Sequence, residues 1–441
     1  MSTLRSNPNF SLLSVATAAA ACLLLTVPAL ADSQARIVRL SDVQGPVQID
    51  KNTGIGFENA FPNLPIVQGT QLKTGASGRA EVEFEDGSTL RLTPNTTVEF
   101  STLSLSDAGK RTSAVNLVEG MAYINWLGKS SEAFTMNFSS EKVSLDHPAH
   151  FRVQISPELS QLAVFKGDVE AESASGTVVV AKKKTATFAS DDGKSTIADN
   201  VKETPFDVWD KEALAYHDQY VNQNAKSTSS PYAYGLSDLN YYGSYSNVSG
   251  YGMLWQPYFT GVGWSPFADG AWGWYPGSGY MFASAYPWGW LPYRYGNWVY
   301  VPRSGWMWQA GGFNNWLSAP RFSGVTPAGF RPLVAPSSGT VRTIALGRGG
   351  PVLTPAPSRF ILNAGSAGLG VPRGSLGNLR DLNHQVAKRG PVEVRPLSAG
   401  MERTTGGNSG YNRSRPSAPA APAAPVAHGT STGHSTGAAH H

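Results

Sequence analysis

The densest set of groups able to do chemistry is Asp146-His147-Pro148-Ala149-His150, two imidazoles and a carboxylate within one short stretch. A bound metal would need further ligands, since structural sites use about four. No cysteine or neighbouring carboxylate cluster supplies them. The expected role of this stretch is a turn. His434, His440 and His441 offer imidazoles at the end of the chain, where metal binding would be adventitious. The single cysteine, Cys22, lies in an apolar leader, which leaves the rest of the chain without disulfides, thiolate ligands or a cysteine nucleophile. No nucleophile elbow, phosphate loop or paired-carboxylate motif is present. The abundant serines fall in turns and strand edges, and a Ser-His-Asp set drawn from distant positions has no support. Catalytic, cofactor-binding and metal-ligating residues are therefore expected to be absent, and the chain is expected not to be an enzyme.

The second chemical feature is aromatic. Residues 232–316 hold 10 of the 12 tryptophans and 13 of the 17 tyrosines. Trp264-Ser265-Pro266-Phe267, Gly270 and Trp272 recur as Trp290-Leu291-Pro292-Tyr293, Gly296 and Trp298, and Pro276, Ser278, Gly279 and Met281 as Pro302, Ser304, Gly305 and Met307. The spacing is 26 residues; 8 of 19 positions are identical and 4 more exchange one aromatic for another. A weaker earlier copy holds Gly243, Tyr245, Gly250-Tyr251 and Trp255-Gln256-Pro257. Each unit reads as a hairpin, with Trp272 and Trp274 on one strand, a turn at Pro276 to Gly279, and Tyr280 and Phe282 returning on the same face. One hairpin cannot bury such rings alone, so units must pack on neighbours. Two roles remain open. The rings can form the whole core of a small β-module, each bringing about 150–250 Å². Alternatively Trp264, Trp272, Trp274, Trp290, Trp298, Tyr300, Trp306 and Trp308 present partly exposed faces to sugars of peptidoglycan or envelope polysaccharide. Nucleic acid is disfavoured, because Lys226, Arg294 and Arg303 are the only positive charges in and beside this region.

The elements that would position these groups are strands. From Gly69 to Leu92 the chain alternates Ala80, Val82 and Phe84 with charged residues, then Leu90 and Leu92 after Asp86-Gly87. That is a half-buried hairpin. A two-residue loop would set Leu90 against Glu83 and split the apolar face. A three-residue loop, Glu85-Asp86-Gly87 with a left-handed Gly87, pairs Val82 with Leu90 and Ala80 with Leu92, and is preferred. Short alternating runs continue at Val47–Ile49, Phe134–Phe138, Val143–Leu145, Phe151–Ile155 and Thr177–Val180. An echo of apolar, polar, Gly, any, small apolar recurs at Val43–Val47, Val118–Ala122 and Phe165–Val169, and predicts equivalent strand-start turns. Lys182-Lys183-Lys184 reads as protection of a sheet edge, with docking to an acidic partner as the alternative.

The order G-T-x-L-x-T-G-x-x-G-R-A-x-V-x-F-x-D-G-S-x-L-R-L-x-P over residues 69–94, extended by Asn95, Val98 and Val43–Val47, resembles the FecR domain family. The alternating runs and their echo predict an all-β fold for residues 32–202, a β-roll, a sandwich or an irregular β-helix, and the resemblance implies that this domain is periplasmic. It also implies a link to signalling from an outer-membrane transporter to a cytoplasmic sigma factor. Family regulators carry a cytoplasmic segment and a membrane helix ahead of that domain. Only about ten residues precede the apolar run here, so a sigma-binding segment is not expected and the relay role is the alternative expectation. The region after it is similar to the uncharacterised Trp/Tyr-rich repeats that follow FecR-like domains in secreted bacterial proteins.

Met1 to Ala31 reads as a secretory signal peptide, with Ala29-Leu30-Ala31 as cleavage site. An uncleaved anchor is the alternative; a lipoprotein site at Cys22 is disfavoured by the apolar run that continues past it. Residues 203–231 predict one helix entered at Thr204-Pro205 and docked through Phe206 and Trp209, then a hinge at Ser227–Pro231. Residues 232–319 are the aromatic module. Residues 320–441, rich in Pro, Ala and Gly, are expected to be disordered. Residues 32–319 carry 21 Lys+Arg against 28 Asp+Glu, whereas 320–441 carry 13 against 3, so the net +4 belongs to the end of the chain. The composite expectation is an exported envelope interaction or scaffold protein. Its expected partners are polysaccharide, peptidoglycan or another envelope protein, with no cofactor and no membrane span once the leader is cleaved. A sensory relay to a membrane partner is the alternative.

Overall fold

The structure is a computed structural model and describes residues 36–106, 108–129, 132–190, 194–221, 233–261, 263–337, 341–346 and 360–395. The expected leader, the hinge at Ser227–Pro231 and everything beyond 395 lie outside these residues.

Parity holds at the hairpin. Strands Arg79–Glu83 and Thr89–Leu92 pair with Ala80 opposite Leu92 and Val82 opposite Leu90. The Phe84 N–H donates to Ser88 O at 2.8 Å and the Gly87 N–H to Phe84 O at 2.9 Å, with Gly87 at φ +93°. That is the three-residue loop with its bulge glycine.

The hairpin belongs to one of two faces that enclose a common core. The first runs Pro65–Ile66, Val38–Gln44, Arg79–Glu83, Thr89–Leu92, Ala149–Ile155, Leu159–Lys166, Thr185–Ala189 and Ser195–Ala198, with the second half of Arg111–Trp126 between Thr89–Leu92 and Ala149–Ile155. The second contains Val47–Asp50, Gln71–Thr74, Thr97–Leu105, the first half of Arg111–Trp126, Glu132–Phe138, Glu141–Leu145, Val169–Ser173 and Gly176–Val180. Leu40, Val82, Leu90 and Phe151 from one face meet Ile49, Leu72, Val98 and Met136 from the other. The outcome is a two-faced roll, mostly β.

The glycine echo marks its corners. Gly45, Gly120 and Gly167 all have positive φ, at +66°, +90° and +77°. Each sits where the chain passes from one face to the other. A Cβ there would lie 2.7 Å from Ser77 O, 2.5 Å from Asn95 O and 2.5 Å from Pro148 O respectively. Both the backbone conformation and the close approach require glycine.

The aromatic units are hairpins, as their repeat predicts. Gly270–Tyr275 pairs with Gly279–Ser284, setting Trp272 opposite Phe282 and Trp274 opposite Tyr280. Tyr295–Val301 pairs with Gly305–Phe313, setting Trp298 opposite Trp308 and Tyr300 opposite Trp306, the same pairs 26 residues on. The degenerate copy pairs Gly243–Val248 with Gly252–Pro257, and Tyr245 faces Trp255. Trp288 joins the units: it stacks on Tyr286 (5.0 Å, 12°) and packs against Trp255, Trp264 and Trp298.

Two expectations need correction. The described residues after 320 do not stay apart. Phe322–Ser323 pairs with Tyr295–Val301, and Ile344–Leu346 with Gly270–Tyr275, so each repeat hairpin gains a strand from them. Farther on, Ala367, Val371, Leu376, Leu379 and Val386 are buried in the aromatic core, the last two on the helix Leu379–Arg389. Composition predicted too little apolar area for a core of its own; this segment instead borrows one. The helix expected over 203–226 spans Pro205–Tyr220, but Phe206 and Trp209 are only half-buried. Asp210 and Tyr216 are its buried residues. Trp209 does meet the sheet, under the Arg79 guanidinium at 5.2 Å, but most of the docking is through charge, as described next.

Candidate functional site: the charged face of the hairpin domain

Alternation that turns Ala80, Val82, Leu90 and Val153 into the core turns Glu81, Glu83, Arg91 and Arg152 out of it. Arg39, Ser41 and Tyr123 share that outer face. On an isolated hairpin domain these groups would meet water. Here they are all buried, covered by the helix Pro205–Tyr220, the short helix Leu236–Tyr242 and residues 371–376.

Nearly every charge finds a partner. Arg91 Nε lies 2.8 Å from Glu81 Oε2 and its Nη1 2.9 Å from Asp210 Oδ1, while His150 Nε2 is 2.8 Å from Asp210 Oδ2. Arg39 Nη1 reaches Glu83 at 3.0 Å and its Nη2 reaches Asp238 at 2.6 Å. His217 Nε2 is 3.0 Å from Glu81 Oε1. Arg373 Nη1 is 2.5 Å from Glu81 Oε1, and its Nε is 2.8 Å from Asp238 Oδ1. At one margin Arg152 Nη1 and the Tyr123 hydroxyl converge on Asp207, at 2.5 and 2.6 Å. The Thr204 N–H donates to the same carboxylate at 2.9 Å, which ties the helix start to the sheet.

Burial raises the Glu81 carboxyl, but His217, Arg373 and Arg91 outweigh it and hold it well below the usual carboxylate range. At Asp238 burial is likewise overcome by Arg373 and Arg39. At Glu83 burial wins over Arg39 and His217, and its pKa is raised. A network of this kind is expensive to desolvate and costly to leave half-made, so it specifies which surfaces meet. A cavity of about 80 Å³ borders it, lined in part by Thr89, Arg91, Asn125 and His217. Arg91 Nη2 and Thr89 Oγ1 are buried without a hydrogen-bond partner among the described residues.

The same seam joins the two modules at a second place. Asn63 Nδ2 donates to Ser284 O and Tyr286 O at 3.2 and 2.7 Å, and Tyr275 donates to Pro65 O at 2.7 Å. Ala271 and Ala283 lie in the core of the hairpin domain.

Residues 70–170 match the family model described as FecR protein, which includes the hairpin and most of its charged face. That stretch of the chain is FecR-like. Residues 236–333 match a family of unknown function, DUF6600, which covers the aromatic repeats. A candidate anti-sigma factor from Parabacteroides distasonis, solved at 1.65 and 2.50 Å, shares 18% identity with this chain. The alignment spans 34% of this chain and 72% or 71% of that one, with a TM-score of 0.28, too low to carry an argument. No curated protein matches.

The eight aromatics singled out for sugar stacking are placed unevenly. Trp264, Trp272, Trp290, Trp298, Trp306 and Trp308 are buried in the aromatic core. A sugar cannot stack on a covered face. Trp274 and Tyr300, at equivalent places in the two units, are half-buried. The two histidines of Asp146–His150 diverge. His147 bonds Asp146 at 2.6 Å and Asp168 O at 2.8 Å, whereas His150 turns to Asp210 and lies 4.8 Å from the Phe165 ring. Among the described residues no group of three or more His, Cys, Asp or Glu is placed to hold a metal. Lys184 pairs with Asp199 at 2.8 Å, beyond the edge strand Gly176–Val180. No described helix is long and apolar enough to cross a membrane.

Arg39, Glu83, Asp210, His217, Asp238 and Arg373 were not singled out from sequence. Glu81, Glu83 and Arg91 carry the signal that could have found them: a family-typical hairpin whose second face is charged at every position but Thr89. Arg373, in a Gly-rich stretch, carries none.

Proposed function

We propose that this chain is an exported, non-enzymatic cell-envelope protein of the signalling or regulatory type, acting through contacts with other envelope proteins. The observation that carries this reading is the FecR match over residues 70–170. The charged outer face of that domain, which serves docking inside this chain, supports it. Export rests on the apolar run and the Ala29-Leu30-Ala31 site. Fractionation of cells expressing the full chain, with N-terminal sequencing and crosslinking, tests the proposal. A chain beginning at Asp32 and crosslinked to envelope proteins is expected. An unprocessed chain in the cytoplasm overturns it, and an unprocessed chain in the inner membrane favours the sensory relay over a free scaffold. Polysaccharide binding is a second reading, supported only by the half-buried Trp274 and Tyr300.

A further inference from the structure

Arg373 sits in a socket made by parts of the chain far from it in sequence. Glu81 contributes one carboxylate, 2.5 Å from Nη1. Asp238 contributes the other, with Oδ1 2.8 Å from Nε and Oδ2 2.8 Å from Nη2. The Ser41 carbonyl accepts from Nη2 at 3.0 Å. The guanidinium lies 5.2 Å from the centroid of the Tyr216 ring, whose hydroxyl donates to Asp238 Oδ1 at 2.8 Å and braces it. Two carboxylates, a carbonyl and an aromatic face around one planar cation read arginine and not lysine, since an ammonium cannot use the fork and the ring together.

The walls and the occupant differ in origin. Glu81 lies within the FecR match and Asp238 within the DUF6600 match, whereas Arg373 lies beyond both. Emptied, the socket leaves Glu81 to His217 and Arg91, and Asp238 to Arg39, with one cation fewer in a cluster that also contains Glu83 and Asp210. Such a site demands a positive guest. The segment that fills it turns over Pro372 to Ser375, where the Ser375 N–H donates to Pro372 O at 3.3 Å and Gly374 has φ +66°, and it is anchored by main-chain atoms: Tyr242 donates to Val371 O at 2.6 Å and Tyr241 to Leu376 O at 2.9 Å. Those two contacts ask for a backbone, not for particular side chains.

We propose that this socket is an arginine-reading docking site for a turn-forming, arginine-bearing segment of a protein partner. Residues 371–376 occupy it in cis and the partner takes their place. The proposal deepens the partner-contact reading above, and its test uses the purified full chain, so its outcome is independent of where the protein resides. The probe is a labelled peptide of residues 367–379, with Arg, Lys or Ala at position 373, titrated by anisotropy onto wild-type and Arg373→Ala chains. The Arg peptide is expected to bind the Arg373→Ala chain at least about tenfold more tightly than it binds wild type, and at least about tenfold more tightly than the Lys peptide does. Near-UV circular dichroism of the buried tryptophans reports whether the variant is folded. If Arg373→Ala loses that signal, Arg373→Lys, which keeps a cation in the socket, takes its place and the same comparison decides. Equal binding of the Arg peptide to variant and wild type, or equal binding of Arg and Lys peptides, overturns the proposal.

Discussion

The FecR domain's outer face and the DUF6600 module's interior are both fully covered surfaces, but opposite chemistry covers them. The first is built from Arg39, Glu81, Glu83 and Arg91 against Asp210, Asp238, His217 and Arg373. The second is built from Trp255, Trp264, Trp288, Trp298, Trp306 and Trp308 packed ring to ring. Rings gain from burial with little demand on orientation, and several arrangements satisfy them. Ion pairs lose their hydration on burial, and their mutual attraction offsets that loss only in a well-fitted geometry. The aromatic interior therefore supplies stability, and the charged seam selects which segments are allowed to close on the FecR domain.

The largest effects should come from single cuts on either side, and the way each is rescued separates them. Arg91→Ala removes the cation that Glu81 and Asp210 share, leaving Glu81 to His217 and Arg373 and Asp210 to His150, and should cost about 3 kcal/mol in urea unfolding. Trp298→Ala should cost a similar amount, about 3–5 kcal/mol, through the cavity it leaves. Trp298→Phe should recover much of that loss, while Arg91→Lys should recover little, because a lysine cannot bridge Glu81 and Asp210. Equal rescue on both sides would erase the distinction.

A smaller effect tests how tightly rings and backbone fit. The Cβ of Gly243→Ala would meet the Trp255 ring at 2.3 Å, and that of Gly270→Ala the Phe282 ring at 2.4 Å. Each glycine gives its ring a place to lie across the neighbouring strand. Either substitution should cost about 1–3 kcal/mol, visible as a lower urea midpoint with unchanged slope.

Protonation gives a further test at the edge of the FecR domain. Burial and Glu85 push Glu132 up from 4.5 to about 7, against Arg111, with which it forms an ion pair. The folded chain thus holds this proton more tightly than the unfolded chain does. Its contribution is complete below about pH 4.5 and is lost as the pH rises to about 7. Glu132→Gln should remove this component of the pH dependence. After allowance for solvent screening the difference is about 1–2 kcal/mol, read by thermal unfolding at pH 4.5 and 7.5. A variant whose stability falls as much as wild type between those values would show that Glu132 is not the group responsible.

The smallest effect on stability should come from Trp274→Ala combined with Tyr300→Ala, at about 1 kcal/mol or less per site given their partial exposure. Retention on peptidoglycan or envelope polysaccharide is the informative measurement. Loss of retention with the fold intact would assign these rings to sugar. Retention by neither wild type nor variant would remove the glycan reading and leave both modules as protein-contact surfaces.

Much of this was legible because it is local. Period-2 alternation and the three-residue loop gave the register of Ala80 with Leu92, and the 26-residue repeat gave Trp272 with Phe282 and Trp298 with Trp308. The left-handed glycines at 45, 120 and 167 showed as an echo before their role as corners was visible. Burial of the rings was not legible, since a Trp repeat reads equally as core or as a stacking surface until its neighbours are placed. The segment after 320 was misjudged because composition measures whether a stretch can bury its own apolar groups. Val371, Leu376 and Val386 are buried against rings supplied by other segments.

The strands, the hairpin register, the FecR resemblance and the repeat are all readable in the chain, because each follows from steric and hydrophobic patterns over a few residues. That Glu81 and Arg91 face protein instead of water, and that Arg373 closes on them 292 residues from Glu81, emerges only when distant segments meet. An alternating strand states which side chains share a face. What covers that face depends on long-range charge pairing, and no short stretch of sequence contains both halves of such a pair.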